Sequence, residues 1–554
     1  MKNHVALVLF LALLGRLAAA APTIQWQLNN PALNPDDKRL VAVTTWYEVR
    51  ADAYDSDGNL TDIRIYKDGQ PFAFAGGNDG WHSNWGGFDY ESSPGLHVFS
   101  AYAIDGSGNH SPTIYWLAKS YSGSAQPITF ADLLAAFPVS STEARFPNTG
   151  NRHINAINLA EVAQSLTGTN GYTLSFNPES YEFDISMPKR VHHSYDVYDE
   201  VGKVDANGYY NHGRGFEFNG VYNFTLKGTS GGSGSTYFKW ASCDSSGNVF
   251  YEVANPTIAA PVGSFLRFGP ACVNVWVQHL AFDTPYTKRD NRGGRHLDIL
   301  STSFFLSDCN FFHAPNFAIN ITEEGNSSVT DPAAPGFTVS DPAYVHIDSS
   351  YIADTFCDGI HVQGGHDIWL VGNIIYNTGD DAIAFVNGTY NDLPKTKFTT
   401  NFHVLSNTIV NSGGVGIGGG SCAGDSLVHS QVKDNVINGT GSSAISFNAA
   451  AYSYTAAMEW IDILGNNIDH PGTYVGSPAN PGSPKAAIEI KGGKNIVGYN
   501  SGQTTGWNKI THLLSTRILG QSNQGNITIG LSSDSQGGGD NLGSSNPIVV
   551  VQQP

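Results

Sequence analysis

From about residue 210 onward the chain repeats itself, and a repeat of this step leaves few folds open. Ser350-Tyr-Ile-Ala-Asp-Thr-Phe-Cys-Asp358-Gly-Ile-His-Val lines up with Asn373-Ile-Ile-Tyr-Asn-Thr-Gly-Asp-Asp381-Ala-Ile-Ala-Phe. Asn407-Thr-Ile-Val-Asn-Ser-Gly-Gly-Val415-Gly-Ile-Gly and Asn435-Val-Ile-Asn-Gly-Thr-Gly-Ser-Ser443-Ala-Ile-Ser-Phe follow, and weaker copies begin at Asn310 and Asn467. Each clear copy has a polar residue, an apolar strand, a Gly or polar turn, and a second strand with Ile at one offset: Ile360, Ile383, Ile417 and Ile445. The steps from Ser350 through Asn467 are 23, 34, 28 and 32 residues. A coil of a parallel β-helix takes roughly 20 residues or a little more, with loops where a step is longer. Leucine-rich repeats would show a Leu ladder, and propeller blades about 40 regular residues. The pattern predicts an all-β chain built on a right-handed parallel β-helix.

The rest of the chain divides around that solenoid. Residues 1–20 have a secretory pattern: Lys2, an apolar run from Val5 to Leu14, and Ala18-Ala19-Ala20 as a small-residue cleavage site. Arg16 interrupts the run before it is long enough to span a bilayer. Residues 37–120 alternate apolar and polar in short runs, as in Tyr47-Glu48-Val49-Arg50-Ala51, separated by turns such as Asp55-Ser56-Asp57-Gly58-Asn59. That spacing predicts a small β-sandwich. A linker is expected over 121–127, then helices at 130–137 and 154–166, with the β-helical domain running over 128–550. Five cysteines without a C-x-x-C pair could form one or two disulfides but make neither a disulfide scaffold nor a zinc site. A net charge of -19 argues against nucleic acid and anionic membranes as partners. A secreted or periplasmic monomer is expected.

Counted from the repeat starts, Asp358 and Asp381 hold the same place in consecutive copies, and Asp380 adds a third carboxylate. Equivalent residues of neighbouring coils stand about 4.8 Å apart. Like charges at that spacing repel, so such a stack invites use. Asp and Asn also serve as plain turn residues. Adjacent strand residues face opposite ways, so Asp380 and Asp381 share a cleft only if the chain bends, as Gly379 would allow.

Cys357-Asp358-Gly359-Ile360-His361 with Asn377-Thr378-Gly379-Asp380-Asp381-Ala382-Ile383-Ala384 resembles the active-site strands of β-helical glycoside hydrolases. These are the polygalacturonases, dextranases and α-1,3-glucanases; the 37–120 segment resembles bacterial immunoglobulin-like modules. The resemblance implies an inverting, metal-independent glycosidase with no cofactor. Asp380 would be the general acid, and Asp358 and Asp381 would hold and deprotonate the attacking water. Polygalacturonases also carry Gly-His-Gly and Arg-Ile-Lys elements; here these correspond to Gly414-Val415-Gly416, without His, and Ile488-Glu489-Ile490-Lys491, with Glu for Arg. No Arg occurs between Arg295 and Arg517, and Arg is the usual ligand of a sugar carboxylate. The expected substrate is therefore a neutral α-glucan such as α-1,3-glucan or dextran, with a pectin hydrolase as the alternative. Lys491 and His361 are candidate substrate ligands, and Trp369 and Tyr390 candidate sugar-stacking platforms. A polysaccharide lyase or epimerase and a non-catalytic glycan-binding β-helix are the readings from other classes.

Overall fold

The computed structural model describes residues 21–27, 40–72, 75–123, 126–184, 216–229, 235–241, 264–285, 295–322, 341–386, 399–420, 422–423, 427–448, 458–473, 486–491, 493–498, 507–511, 516–521, 527–535, 540 and 548–553. Two compact units divide the chain: one takes in the described residues up to Val162 with Tyr181–Phe183, the other most of the remainder.

The first unit is built on a two-sheet sandwich. Thr23–Trp26, Trp46–Tyr54, His82–Tyr90 and Ala75–Asn78 form one sheet; Leu40–Ala42, Ile114–Tyr121, Gly95–Asp105, Leu60–Lys67 and Gln70–Pro71 form the other. Strand alternation drives it: Tyr47, Val49, Ala51 and Ala53 turn inward against Phe99, Ala101, Ala103 and Trp116. The sandwich begins earlier than residue 37, because Thr23–Trp26 pairs antiparallel with Ala51–Tyr54. The expected boundary near 128 also moves. Helices Phe130–Ala136 and Arg152–Ser165 fall largely in this unit, where Lys119 Nζ reaches Asp132 at 2.8 Å and Glu161 Oε2 accepts the Ile128 N–H at 2.9 Å.

The second unit is a right-handed β-helix of three parallel sheets. Each coil runs from a strand of a first sheet (for example His366–Val371) through a tight corner to a second (Ile374–Thr378), then through a turn to a third (Ile383–Phe385). Inside the third sheet the recurrent aliphatic position stacks as Leu266, Leu297, Ile319, Ile360, Ile383, Ile417, Ile445, Ile488 and Ile518. All nine are fully buried, each worth about 1.5–3 kcal/mol of apolar burial.

The corner between the first and second sheets explains the polar residue that opens each repeat. Asn373, Asn407, Asn435, Asn466 and Asn508 form a buried ladder in which each Oδ1 after the first accepts the backbone N–H and the Nδ2–H of the preceding asparagine, while that of Asn373 accepts the Ser350 N–H. The residue before the ladder position turns the corner with positive φ, as Ser349, Ser406 and Asp434 do. Two expectations shift by one residue here. The ladder takes Asn466 rather than Asn467, and the coil before Ser350 opens at Cys309 rather than Asn310. The pattern of Asn-rich segments obscured that slip because both neighbours are polar or small.

No disulfide joins the four described cysteines, of which Cys272, Cys309 and Cys422 are buried; Cys243 lies outside the described residues. Among the described residues no helix is long and apolar enough to cross a membrane.

Candidate active site

The three carboxylates sit in consecutive turns between the second and third sheets. Thr355 and Thr378, each five residues before the buried Ile, fix these turns. Thr355 Oγ1 donates to Cys357 O at 2.7 Å and Thr378 Oγ1 to Asp380 O at 2.9 Å. The coils then lock together: Gly359 N donates to Asp381 O at 3.0 Å and Gly414 N to Asp380 O at 2.9 Å. Gly379 is demanded by packing, since a Cβ there would lie 1.6 Å from Phe356 O.

Asp358 is 5% exposed. Its Oδ1 accepts the Asp381 N–H at 3.0 Å, and its Oδ2 lies 2.6 Å from His361 Nδ1. Burial, and then the charge of Asp380, push its carboxyl well above the usual carboxylate range, with the Asp381 amide opposing. Asp380 and Asp381 are half-buried and reach the same point. A Cβ on Gly414, one coil on, would stand 2.4 Å from Oδ1 of each, so these two oxygens are at most twice that far apart. The bend needed to bring adjacent acids to one side is therefore present. Val415 N donates to Asp381 Oδ1 at 2.6 Å, while Asp381 Oδ2 lies beside Gly418, 3.3 Å from where a Cβ would be.

His361 stacks in register with Ala384 and Gly418, yet it does not face solvent. It is 8% exposed, with Phe317 stacked on it at 4.0 Å and the Arg295 guanidinium 5.4 Å from the Phe317 ring. Asp358 pairs with its Nδ1, so it joins the carboxylates as their neighbour. Trp369 is not with them. It sits on the first sheet in a run of parallel rings, Trp276, Phe305, His346, Trp369 and His403. His346 at 4.5 Å and His403 at 5.1 Å occupy its two faces, which leaves neither for a sugar. Lys491 ends a third-sheet strand, opposite Asn448 and three coils beyond that of Asp381; its side chain lies outside the described residues, as does all of Tyr390.

Four participants escaped the sequence reading. Gly414 and the Val415 amide were weighed only for the His they lack; a Gly one coil after an acidic pair was the available signal. Phe317 and Arg295 stand one and two coils before Asp358 at the same register, in a copy too degenerate to align by eye. Among the described residues no group of three or more His, Cys, Asp or Glu is disposed to hold a metal ion.

Residues 297–474 match the family described as "Right handed beta helix region". The match takes in all three carboxylates. No curated protein matches the sequence. Solved structures with which the chain aligns include the Azotobacter vinelandii mannuronan C-5 epimerase AlgE6 A-module, at 12% identity and TM-score 0.36 over 72% of this chain and 95% of that one. The Yersinia enterocolitica family 28 exopolygalacturonase aligns at 9% and 0.28 over 96% and 98%. The Dettilon tailspike protein aligns at 12% and 0.33 over 74% and 68%. Likenesses this distant say nothing about the chemistry of this chain.

Proposed function

We propose that the chain is a polysaccharide hydrolase whose reaction is carried by Asp358, Asp380 and Asp381, acting on a neutral α-glucan. The observation that carries this reading is the convergence of Asp380 and Asp381 on one point beside a buried third carboxylate. Three acids at such spacing cannot all be charged cheaply, so the cluster holds a proton to higher pH than separate carboxylates would. A retained proton is what a leaving glycosidic oxygen needs.

Asp380 is the acid in this reading, because Asp358 is buried and paired with His361. Asp381 holds the water through Oδ2, its Oδ1 being engaged by the Val415 amide. The small Ala384 and Gly418 leave room beside it for a sugar. The preference for a neutral sugar gains support from Arg295. The cation nearest in register already lies 3.1 and 3.3 Å from the two Asp298 oxygens, so it is matched before any uronate arrives.

One observation favours a second stereochemical outcome. The Oδ1 approach of Asp380 and Asp381 is closer than the roughly 6.5–9.5 Å of inverting pairs, as a retaining enzyme with Asp381 for nucleophile would have it. Reducing-sugar release from dextran, α-1,3-glucan, pullulan, polygalacturonate and rhamnogalacturonan tests the function itself. Release from a neutral α-glucan above that from polygalacturonate is expected; strong release from polygalacturonate overturns the substrate choice, and none from any of the five overturns the reading. The N-terminal segment we take for a secretion signal, and the sandwich for an immunoglobulin-like module.

A further inference from the structure

One face of the N-terminal sandwich is unlike the rest of its surface. On the outer side of the Thr23–Trp26, Trp46–Tyr54, His82–Tyr90 and Ala75–Asn78 sheet, Trp46 is 62% exposed, Phe88 68%, Tyr54 43% and Tyr90 39%. The pairing arranges them in rows. Trp46 lies opposite Tyr90 with ring centroids 5.2 Å apart, Phe88 lies opposite Glu48, and Tyr54 lies opposite His82. Inward neighbours Tyr47, Val49, Ala51 and Ala53 already supply the core, so folding does not need the outward rings. Between the two aromatic ends the face is low and polar, with Arg50 opposite Gly86 and Asp52 opposite Asn84. Trp46 and Tyr54 are eight residues apart, so the strip is roughly 26 Å long.

We propose that this face binds a neutral polysaccharide chain, separately from the carboxylate site. Aromatic faces take the C–H surfaces of sugar rings, and their flanking amides and carboxylates take hydroxyls, which both donate and accept. The charge on the strip selects against polyanions. Its cation, Arg50, is matched by Glu48 at 2.5 Å, and Asp52 remains beside Asn84. A protein partner of ordinary interface size would want an apolar centre with a polar rim; here the polar groups are central and the rings lie at the ends.

The test uses the full chain in native gels containing dextran, pullulan, mixed-linkage β-glucan, galactomannan or polygalacturonate, with sedimentation to read its mass. At least one neutral polysaccharide should retard it. The variant Trp46→Ala/Phe88→Ala/Tyr90→Ala should bind that polysaccharide about tenfold or more weaker, with an unchanged thermal midpoint and unchanged reducing-sugar release from short soluble substrates. Equal retardation of the variant overturns the proposal, as does no retardation by any neutral polysaccharide, or retardation by polygalacturonate alone. A dimer that the same substitutions dissociate would reassign the face to a second copy and overturn it too. Because retardation and turnover are read apart, a failed hydrolase reading leaves this result standing.

Discussion

Asp358 is held where its charge is costly. Removing that charge should therefore separate stability from catalysis. A carboxyl whose folded pKa is raised above the unfolded value of about 3.9 destabilises the fold by a penalty that is absent below the unfolded pKa, grows as the pH rises past it and is complete above the folded pKa. Asp358→Asn is thus expected to unfold at a higher denaturant midpoint than wild type at neutral pH, with the gain vanishing below about pH 4, while turnover collapses. Denaturant melts at both pH values check this, and a variant less stable at neutral pH would remove the electrostatic account of the site. Asp380→Asn should lower turnover about 10² to 10⁴-fold with the fold intact by circular dichroism. Gly414→Ala, which would place a methyl 2.4 Å from both Asp380 and Asp381 Oδ1, should lower turnover at least as clearly as Asp381→Asn does. The acids were legible from their place in the repeat, because register is arithmetic. Their surroundings were not: the burial of Asp358 and the cover of Phe317 over His361 depend on how neighbouring turns fold back, which no spacing encodes.

Among the elements, the asparagine corner holds the coils in register most directly. Asn407 Nδ2 donates to Leu370 O at 2.8 Å and to Asn435 Oδ1 at 3.0 Å, and its Oδ1 accepts from Asn373 N and Nδ2. Asn407→Ala would leave these partners buried and unmatched at about 1–3 kcal/mol each, so a loss of about 3 kcal/mol or more is expected in equilibrium unfolding. Asn407→Asp should be nearly as severe, since a carboxylate cannot donate to Leu370 O. The stacked rings on the first sheet make an opposite control. Trp369→Leu should cost about 1–2 kcal/mol of packing and leave turnover unchanged, whereas a selective loss of substrate binding would return Trp369 to the cleft. The strands were legible because Ile recurs at one offset. The place of Trp369 was not: it is near the carboxylates along the chain but lies on the first sheet, whereas they lie in the turns between the second and third.

Over the whole molecule, pH acts through buried neutral histidines as well as acids. His296 is fully buried; its Nδ1 accepts from Trp240 Nε1 at 2.8 Å and its Nε2 donates to Phe312 O at 2.8 Å. Burial holds it down to about 3, and burial also lowers His346 and His403. The unfolded chain therefore binds protons that the folded one refuses. The part of the stability that these histidines hold should be constant above about pH 6.5 and be lost as the pH drops below it, so between about pH 6.5 and 4 wild type should lose stability more steeply than His296→Gln does. The solenoid was readable at this scale because its pattern is one-dimensional, each coil touching its neighbours. The sandwich boundary was not, since Thr23–Trp26 finds its partner more than twenty residues further along the chain. What the three carboxylates do together is settled most directly by proton NMR of the first product released from the best substrate. An inverted anomer is expected if Asp380 donates the proton and Asp381 Oδ2 holds the water. A retained anomer would make Asp381 the nucleophile and contradict those roles, and an unsaturated product would contradict hydrolysis itself.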